Sequence, residues 1–535
     1  MLTRRHFIEG LGVWGLTGCA TEPPVVPQQP MPAPPSAGGP ELQVGTSVVT
    51  LERVLARALD TAKRAGASYA DARVHKRRHE QLVTREDHLV NVTSSETYGI
   101  GVRVLVGGAW GFASSADATE ADADEAARRA VAVARAGAGP RKRPIVLAPT
   151  ETFRDKWQTQ FKVDPFAVPL ADKAALVLSI WPEAKQVAGI AFCTASCEAF
   201  DEWKMLATSE GSLIEQRIVR VGAGYTLTAK DQKKADFVTL VQRVPPRQAG
   251  WEHVTGGELA KTARKTAENA IEKLKAARVR PGKRMVILAP DHLWLTIHES
   301  IGHSTELDRA LGYEANFAGT SFATPDKLGK LRYGGDNITF YADKTTPGGL
   351  ASSGYDDDGV RTARWDLVKN GLFVAYQTTR DQAAWVGDKA SRGSSYAEDH
   401  RSVAFQRMPN VSLAPSESKT KLADIIAATD DGVLIFGDGS WSIDQQRYNF
   451  QFGGQLFYEI KGGKIAHALR DVAYQSNTLE FWKNCDMIGG PDSWELNGAL
   501  NDGKGEPSQS NPVSHGCPPC RFRDVNVLDT GKKKA

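Results

Sequence analysis

The chain lacks the marks of several common protein classes. Only six of its 535 residues are cysteine, too few and too scattered for the disulfide framework of a small secreted domain. One CxxC is present, Cys517-Pro-Pro-Cys520. No second CxxC completes a zinc ribbon, and no βαβ pattern surrounds it, so it reads as a local disulfide or as two inert thiols. Cys193 and Cys197 fall on one face of a predicted strand, too far apart to pair if extended. Charge of one sign is also missing: 66 Lys and Arg against 63 Asp and Glu leave a net charge of +3. The basic residues are spread along the chain, which excludes a nucleic-acid footprint. Beyond the N-terminus no segment approaches the roughly 20 apolar residues of a membrane span. Asp356-Asp357-Asp358-Gly359 lacks the later glutamate of an EF-hand and reads as a β-turn. What remains, 41% hydrophobic and 24% charged, is an ordinary globular composition. The length calls for two or more domains.

The first residues read as a targeting segment. Arg4 and Arg5 are the twin arginines of a Tat signal. A short Gly-rich apolar stretch follows, and Leu16-Thr17-Gly18-Cys19 has the form of a bacterial lipobox, with Cys19 as the lipid-carrying residue. Eight prolines between Pro23 and Pro40 make a semi-rigid tether. These signals predict an exported, periplasmic protein that is lipid-anchored to a bacterial membrane and folds before it crosses.

The rest predicts an α+β fold. Residues 1–19 are the signal, 20–46 the tether, 47–281 an N-terminal α/β domain with antiparallel sheet and helices, and 282–535 a C-terminal, mostly antiparallel β domain carrying one metal-binding helix. Apolar periodicity predicts helices over 51–62, 121–136, 173–179 and 259–276. Strands are expected over 69–75, 81–93, 97–106, 144–147, 188–199, 203–208, 212–229 and 235–243. Residues 142–149 echo 283–290 in sequence, each reading as a strand with a proline-marked exit. Short alternating runs over 367–377, 432–436, 449–461 and 464–472 supply the β domain. Trp110, Trp251 and Trp294 read as core or interface residues.

The chemistry concentrates in His298-Glu299-Ser300-Ile301-Gly302-His303. Neutral imidazoles bind Zn²⁺, and a glutamate beside the first can act as general base toward an activated water. The spacing is unusual. Histidines at i and i+4 lie about 40° apart around a helix, whereas i and i+5 lie roughly 140° apart. Both reach one metal only if the helix bulges or unwinds, a distortion that Gly302 tolerates.

With these residues, the chain resembles the TldD/PmbA family, specifically its HExxxH-bearing TldD branch. The resemblance covers roughly residues 48 to 530. It rests on the six-residue motif followed by Glu306 and Asp308, on Tyr355 to Gly359, on Arg392 to Tyr396, and on Asp502-Gly503-Lys504. It implies a zinc metallopeptidase with one Zn²⁺ per chain, in which His298 and His303 are ligands and Glu299 is the general base. It also implies dimers, homodimeric or with a PmbA-like subunit, enclosing a cavity where unfolded peptide is cleaved as an added β-strand. Glu306 and Asp308 read either as carboxylates that orient the histidines or as solvent-facing helix residues, and Arg392 and Tyr396 as residues of the peptide channel.

The sequence departs from the family at one point. The third ligand there is a cysteine in a Cys-Gly-Lys-like segment, and this chain has Asp502 in its place. Three readings follow. Asp502 is the third ligand, since a carboxylate binds zinc at a similar distance and resists oxidation. Alternatively His515, Cys517 or Cys520 reaches in from downstream. In the third, the site is degenerate and the protein is a catalytically silent peptide-binding or scaffold subunit. Another zinc peptidase type with the same histidine spacing is disfavoured, because no Glu-rich ligand helix follows.

Overall fold

The computed structural model describes residues 48–139 and 144–531. The signal residues Arg4, Arg5 and Cys19, and the proline-rich tether, lie outside them. The fold is α+β, as the sequence pattern predicts.

The first half builds one seven-stranded sheet from long strands. Tyr69–Arg85 and His88–Val106 form a hairpin; Ala109–Ser115 extends its far side, and Ile190–Thr208 and Leu213–Asp231 extend its near side. Asp236–Arg247 pairs antiparallel and Arg154–Gln158 parallel with Leu213–Asp231. The strands are longer than the sequence pattern suggests. The run expected over 81–93 spans the hairpin turn at Glu86-Asp87, where Glu86 takes φ 50° without the glycine that marks such turns. The expected pair 188–199 and 203–208 is one continuous strand.

Helices Val48–Arg64 and Glu120–Ala136 cover one region of this sheet, burying Leu51, Leu55, Ala127 and Ala130 against Val74, Val102 and Val104. Thr119 caps the second helix, with Asp122 completing a capping box. Gly111 sits where any Cβ would lie 2.0 Å from the Ala130 carbonyl, which explains the small residues along this contact. Leu170–Leu178 and Leu259–Lys275 cover a second region, around Tyr225 and Trp251.

Residues 144–149 form no strand; Ile145 donates to the Gly108 carbonyl and the segment runs on as an irregular connection. The echo with 283–290 is therefore a likeness of sequence without a shared conformation. Its second copy is the strand Gly282–Leu288, which leads directly into the motif helix Pro290–Ile297.

The second half is built on a closed ring. Asp431–Ile443, Gly282–Leu288, Cys520–Asp529, Val472–Asn477 and Asn449–Lys461 pair in that order, and the last pairs back with the first. All but one of these pairings are antiparallel; Gly282–Leu288 runs parallel to Asp431–Ile443. A separate hairpin, Glu495–Lys504 with Gln509–Cys517, packs on the motif helix. The large core joins Leu293, Ile297 and Ile301 of the motif segment to Phe450, Phe452, Tyr474 and Trp482.

The Asp356–Gly359 turn, formed as the sequence pattern predicts, ties the halves together. Arg103 donates to Asp358 at 2.6 Å and Lys204 to Asp357 at 3.1 Å. All five described cysteines are buried and free, so Cys517 and Cys520 form no disulfide.

Candidate metal centre

The motif helix changes its winding where the histidines begin. Pro290 starts an α-helix that ends at Ile297, and His298–Gly302 continues as a single π-helical turn. The His303 amide donates to the His298 carbonyl, five residues back. This wider turn takes in the extra residue and brings both imidazoles to one side, with ring centroids 4.5 Å apart. The carbonyls that the distortion disturbs find side-chain donors: Ser304 donates to the Ser300 carbonyl, Thr305 to Ile301, and Gln377 to Gly302 at 2.6 Å.

Gly302 serves this turn in a different way from the one expected. Its φ of −53° is ordinary helix. Space is what demands glycine: a Cβ there would lie 2.6 Å from Met408 Sδ.

Asp502 reaches the same point from the hairpin strand Glu495–Lys504, beside an irregularity in its register. Its Oδ1 lies 3.6 Å from His298 Nε2 and 3.7 Å from His303 Nε2. One donor atom from each of the three residues falls within 4.8 Å of the others. A tetrahedral ion with ligands at about 2.0–2.2 Å spaces them about 3.3–3.5 Å apart. The two Asp502–imidazole distances therefore lie close to metal-ligand spacing, and the third separation is within 4.8 Å. All three residues are buried.

What lies behind each group fixes its orientation. His515 Nδ1 lies 2.7 Å from the Val411 carbonyl, and His515 Nε2 lies 2.8 Å from His298 Nδ1. His515 is thus not aimed at the metal position; it backs His298, and its ring stacks on Trp294. Cys517 and Cys520 contact the Pro290 and Pro518 carbonyls and stand outside the cluster. Glu306 Oε2 lies 2.9 Å from His303 Nδ1, while its Oε1 accepts from Lys504 at 3.0 Å. Asp308 touches neither histidine; it accepts from Lys504 at 2.9 Å. Arg407 donates to the Asp502 carbonyl and, at 3.4 Å, to its Oδ2, which leaves Oδ1 to face the histidines.

Burial alone would raise the Asp502 carboxyl, but its close contact with His298 and the neighbouring His303 and Arg407 outweigh that and hold it well below the usual range. Burial would likewise lower His298, yet Asp502 overcomes it and the imidazole rises. His303, buried and facing Arg309 and Arg447, falls to about 4. Glu299 is buried, which would raise it, but Arg447 pulls it down by ion pairing. Arg447 sits at the turn before Asn449–Lys461 with φ 64° and also donates to the Ala318 carbonyl at 3.0 Å.

Arg392 pairs with Asp388 at 3.0 Å, and buried Tyr396 donates to Glu202. Sequence reading missed Arg407, Arg447 and Arg309. Arg407 and Arg447 come from loops distant in the chain, with no local pattern to announce them, whereas Arg309 lies on the short helix Leu307–Ala310, three residues after Glu306.

Three family models, each described as part of a PmbA/TldA metallopeptidase, match the chain in order: domain 1 over residues 70–134, the central domain over 163–274 and the C-terminal domain over 281–529. The chain belongs to the PmbA/TldD metallopeptidase family. A metalloprotease of Methanothermobacter thermautotrophicus is 28% identical over 86% of this chain and 96% of its own. A zinc metalloprotease TldD homolog of Saccharolobus solfataricus is 23% identical over 80% and 90%. Among solved structures, TldE from Thermococcus kodakarensis superposes with a TM-score of 0.67 at 15% identity, over 89% of this chain and all of that one. A Thermotoga maritima protein described as a modulator of a DNA gyrase gives 0.69 at 17%, over 90% and 100%. At these identities the structural likeness speaks for the fold.

Proposed function

We propose that this protein is a zinc-dependent peptidase acting on unfolded peptides, with His298, His303 and Asp502 as ligands and Glu299 as general base. The observation that carries the reading is the convergence of two imidazole Nε2 atoms and one carboxylate oxygen at one buried point. Two His and a carboxylate form a catalytic-type set that leaves a fourth position open. A bound ion would supply Lewis acidity, polarising the peptide carbonyl and easing ionisation of water. Glu299 takes the proton of the attacking water and passes it to the leaving amine. Arg447 keeps Glu299 ionised and so ready to accept that proton. A cleft of about 460 Å³, bordered by Arg77, Thr97 and Glu398, opens beside Gln509 at the tip of the hairpin that carries Asp502, and gives a peptide somewhere to lie.

The test is elemental metal content together with peptide cleavage. About one zinc per chain is expected, lost in His298→Ala and Asp502→Ala. Glu299→Gln should keep the metal and lose turnover by about 10²–10⁴-fold. Full metal retention by Asp502→Ala would remove it from the ligand set.

A second reading, a silent peptide-binding or scaffold subunit, has one observation in its favour: Glu299 is already engaged by Arg447. A silent subunit would lose nothing in Glu299→Gln. The proposal extends to export and assembly. Arg4-Arg5 and Cys19 support Tat export and a lipid anchor, checked by fractionation of Cys19→Ala cells. Dimerisation, with a second copy or a PmbA-like subunit, is checked by mass in solution.

A further inference from the structure

The hairpin of Tyr69–Arg85 with His88–Val106 outgrows the sheet it belongs to. The outer edge of its second strand is covered only at the root, where Ala109–Ser115 pairs with residues 100–106. Over residues 88–97 that strand pairs with Tyr69–Arg85 alone, and among the described residues no other backbone bonds to it. A row of peptide N–H and C=O groups therefore faces outward.

Proteins commonly blunt such an edge with lysine, proline or a bulge. Residues 88–97 contain no Lys and no Pro. A bulge opposite Val83 and Thr84 is present, but it leaves Val90 without a cross-strand partner. The outer end of the edge is apolar: Leu89, Val90 and Val92 are 44–56% exposed. A long, apolar, unpaired edge is a template for another strand.

The charge of the hairpin points to the strand that fits. Lys76-Arg77-Arg78 stand at its root and Glu86-Asp87 at its tip. Glu96 and Glu398 pair with the three root cations, and Arg85 pairs with Glu86. The root is left in positive excess and the tip in negative excess. An identical hairpin laid antiparallel along this edge, about a two-fold axis, brings tip to root in both copies at once. That single operation pairs the free backbone groups, covers the exposed apolar side chains and sets opposite charges together.

We infer that residues 88–97 are the seam of a homodimer, in which two hairpins pair edge to edge and the two sheets become one. This rests on the assembly part of the reading above and is independent of the peptidase part. It also bears on the site. Ser95 and Thr97 of the seam lie opposite His79 and Arg77, and all four border the cleft beside Gln509. The partner's strand extends that wall of the cleft.

The test uses the full chain with Cys19→Ala, so that no lipid drives association. Sedimentation should give twice the chain mass at micromolar concentration. Val90→Lys/Val92→Lys places like charges across the seam and should raise the dissociation constant by about a hundredfold or more, with the far-UV circular dichroism unchanged. Nitroxide labels on Thr93→Cys and Asp87→Cys locate the seam, since the native thiols are buried. With about 3.3 Å per residue along a strand, a label at position 93, mid-seam, should lie within about 20 Å of its copy, and one at position 87 about 40 Å away. A monomer throughout the micromolar range overturns both homodimer assembly and this seam. A dimer that the lysine pair leaves intact, or whose labels are closer at position 87 than at 93, overturns the seam alone.

Discussion

His515 Nε2 lies 2.8 Å from His298 Nδ1, and its own Nδ1 faces the Val411 carbonyl at 2.7 Å. A carbonyl only accepts, so His515 carries its proton on Nδ1 and presents a lone pair at Nε2. His298 Nδ1–H donates to that lone pair, which frees His298 Nε2 to face Asp502 and His303. His515 thus sets the tautomer of a candidate ligand from behind. His515→Phe removes the acceptor and is expected to weaken zinc by about 10–100-fold with the fold intact. His515→Gln can still offer an oxygen and should lose less. Competition with a chromogenic chelator reads both; equal affinities in all three proteins would dismiss the relay.

Lys504 makes the same kind of argument for stability. Its ammonium is fully buried and bonds Glu306, Asp308 and Gln406. It links the hairpin bearing Asp502 to the carboxylate that orients His303. Lys504→Met strands buried Asp308, while Glu306 keeps Arg309 at 2.8 Å, and breaking a buried pair from one side costs about 3–5 kcal/mol. A urea midpoint lowered to match, with an unchanged slope, is the expected result. A shift of less than about 1 kcal/mol would place the network at a solvated surface, where ion pairs count for little.

How much of this could be read from the chain alone differs by element. The helices over 48–64, 120–136 and 259–275 announce themselves by apolar period, and their extents lie within a few residues of those expected. The i, i+5 histidine spacing required a bulge, and the π turn supplies it. Strand ends were less legible, since Glu86-Asp87 turns the chain without a glycine. The strand expected at 144–147 failed because an apolar run specifies burial in a sheet only when a partner strand exists. Arg407 and Arg447 were invisible for a related reason: they act across 95 and 148 residues of sequence, and no local period encodes such a contact.

Burial has a consequence for the cysteines. It pushes the Cys193 and Cys197 thiols up to about 12. At pH 8 roughly one part in ten thousand would be thiolate, the reactive form. In the native protein, Cys19 aside, no rapid labelling by iodoacetamide is expected between pH 7 and 9; all five buried thiols should label in denaturant. Reactivity should climb only as pH approaches the raised values. Fast stoichiometric labelling of Cys193 or Cys197 at pH 8 would mean that the strand Ile190–Thr208 opens in solution.

Gly302 and Met408 give the sharpest packing test of the π turn. A Cβ on Gly302 would stand 2.6 Å from Met408 Sδ and 2.8 Å from its Cε, while the backbone itself accepts alanine. Any cost of Gly302→Ala is therefore overpacking, about 1–3 kcal/mol. Because the obstacle is the end of a flexible side chain, shortening it should relieve the strain. Met408→Ala alone is expected to destabilise through a cavity, by about 2–5 kcal/mol. The double variant should be more stable than the sum of the two losses predicts, by about 1 kcal/mol or more, as residues in contact couple. Additive losses would show that glycine is required by the winding of the turn rather than by its neighbour. The histidine spacing would then depend on backbone freedom at Gly302.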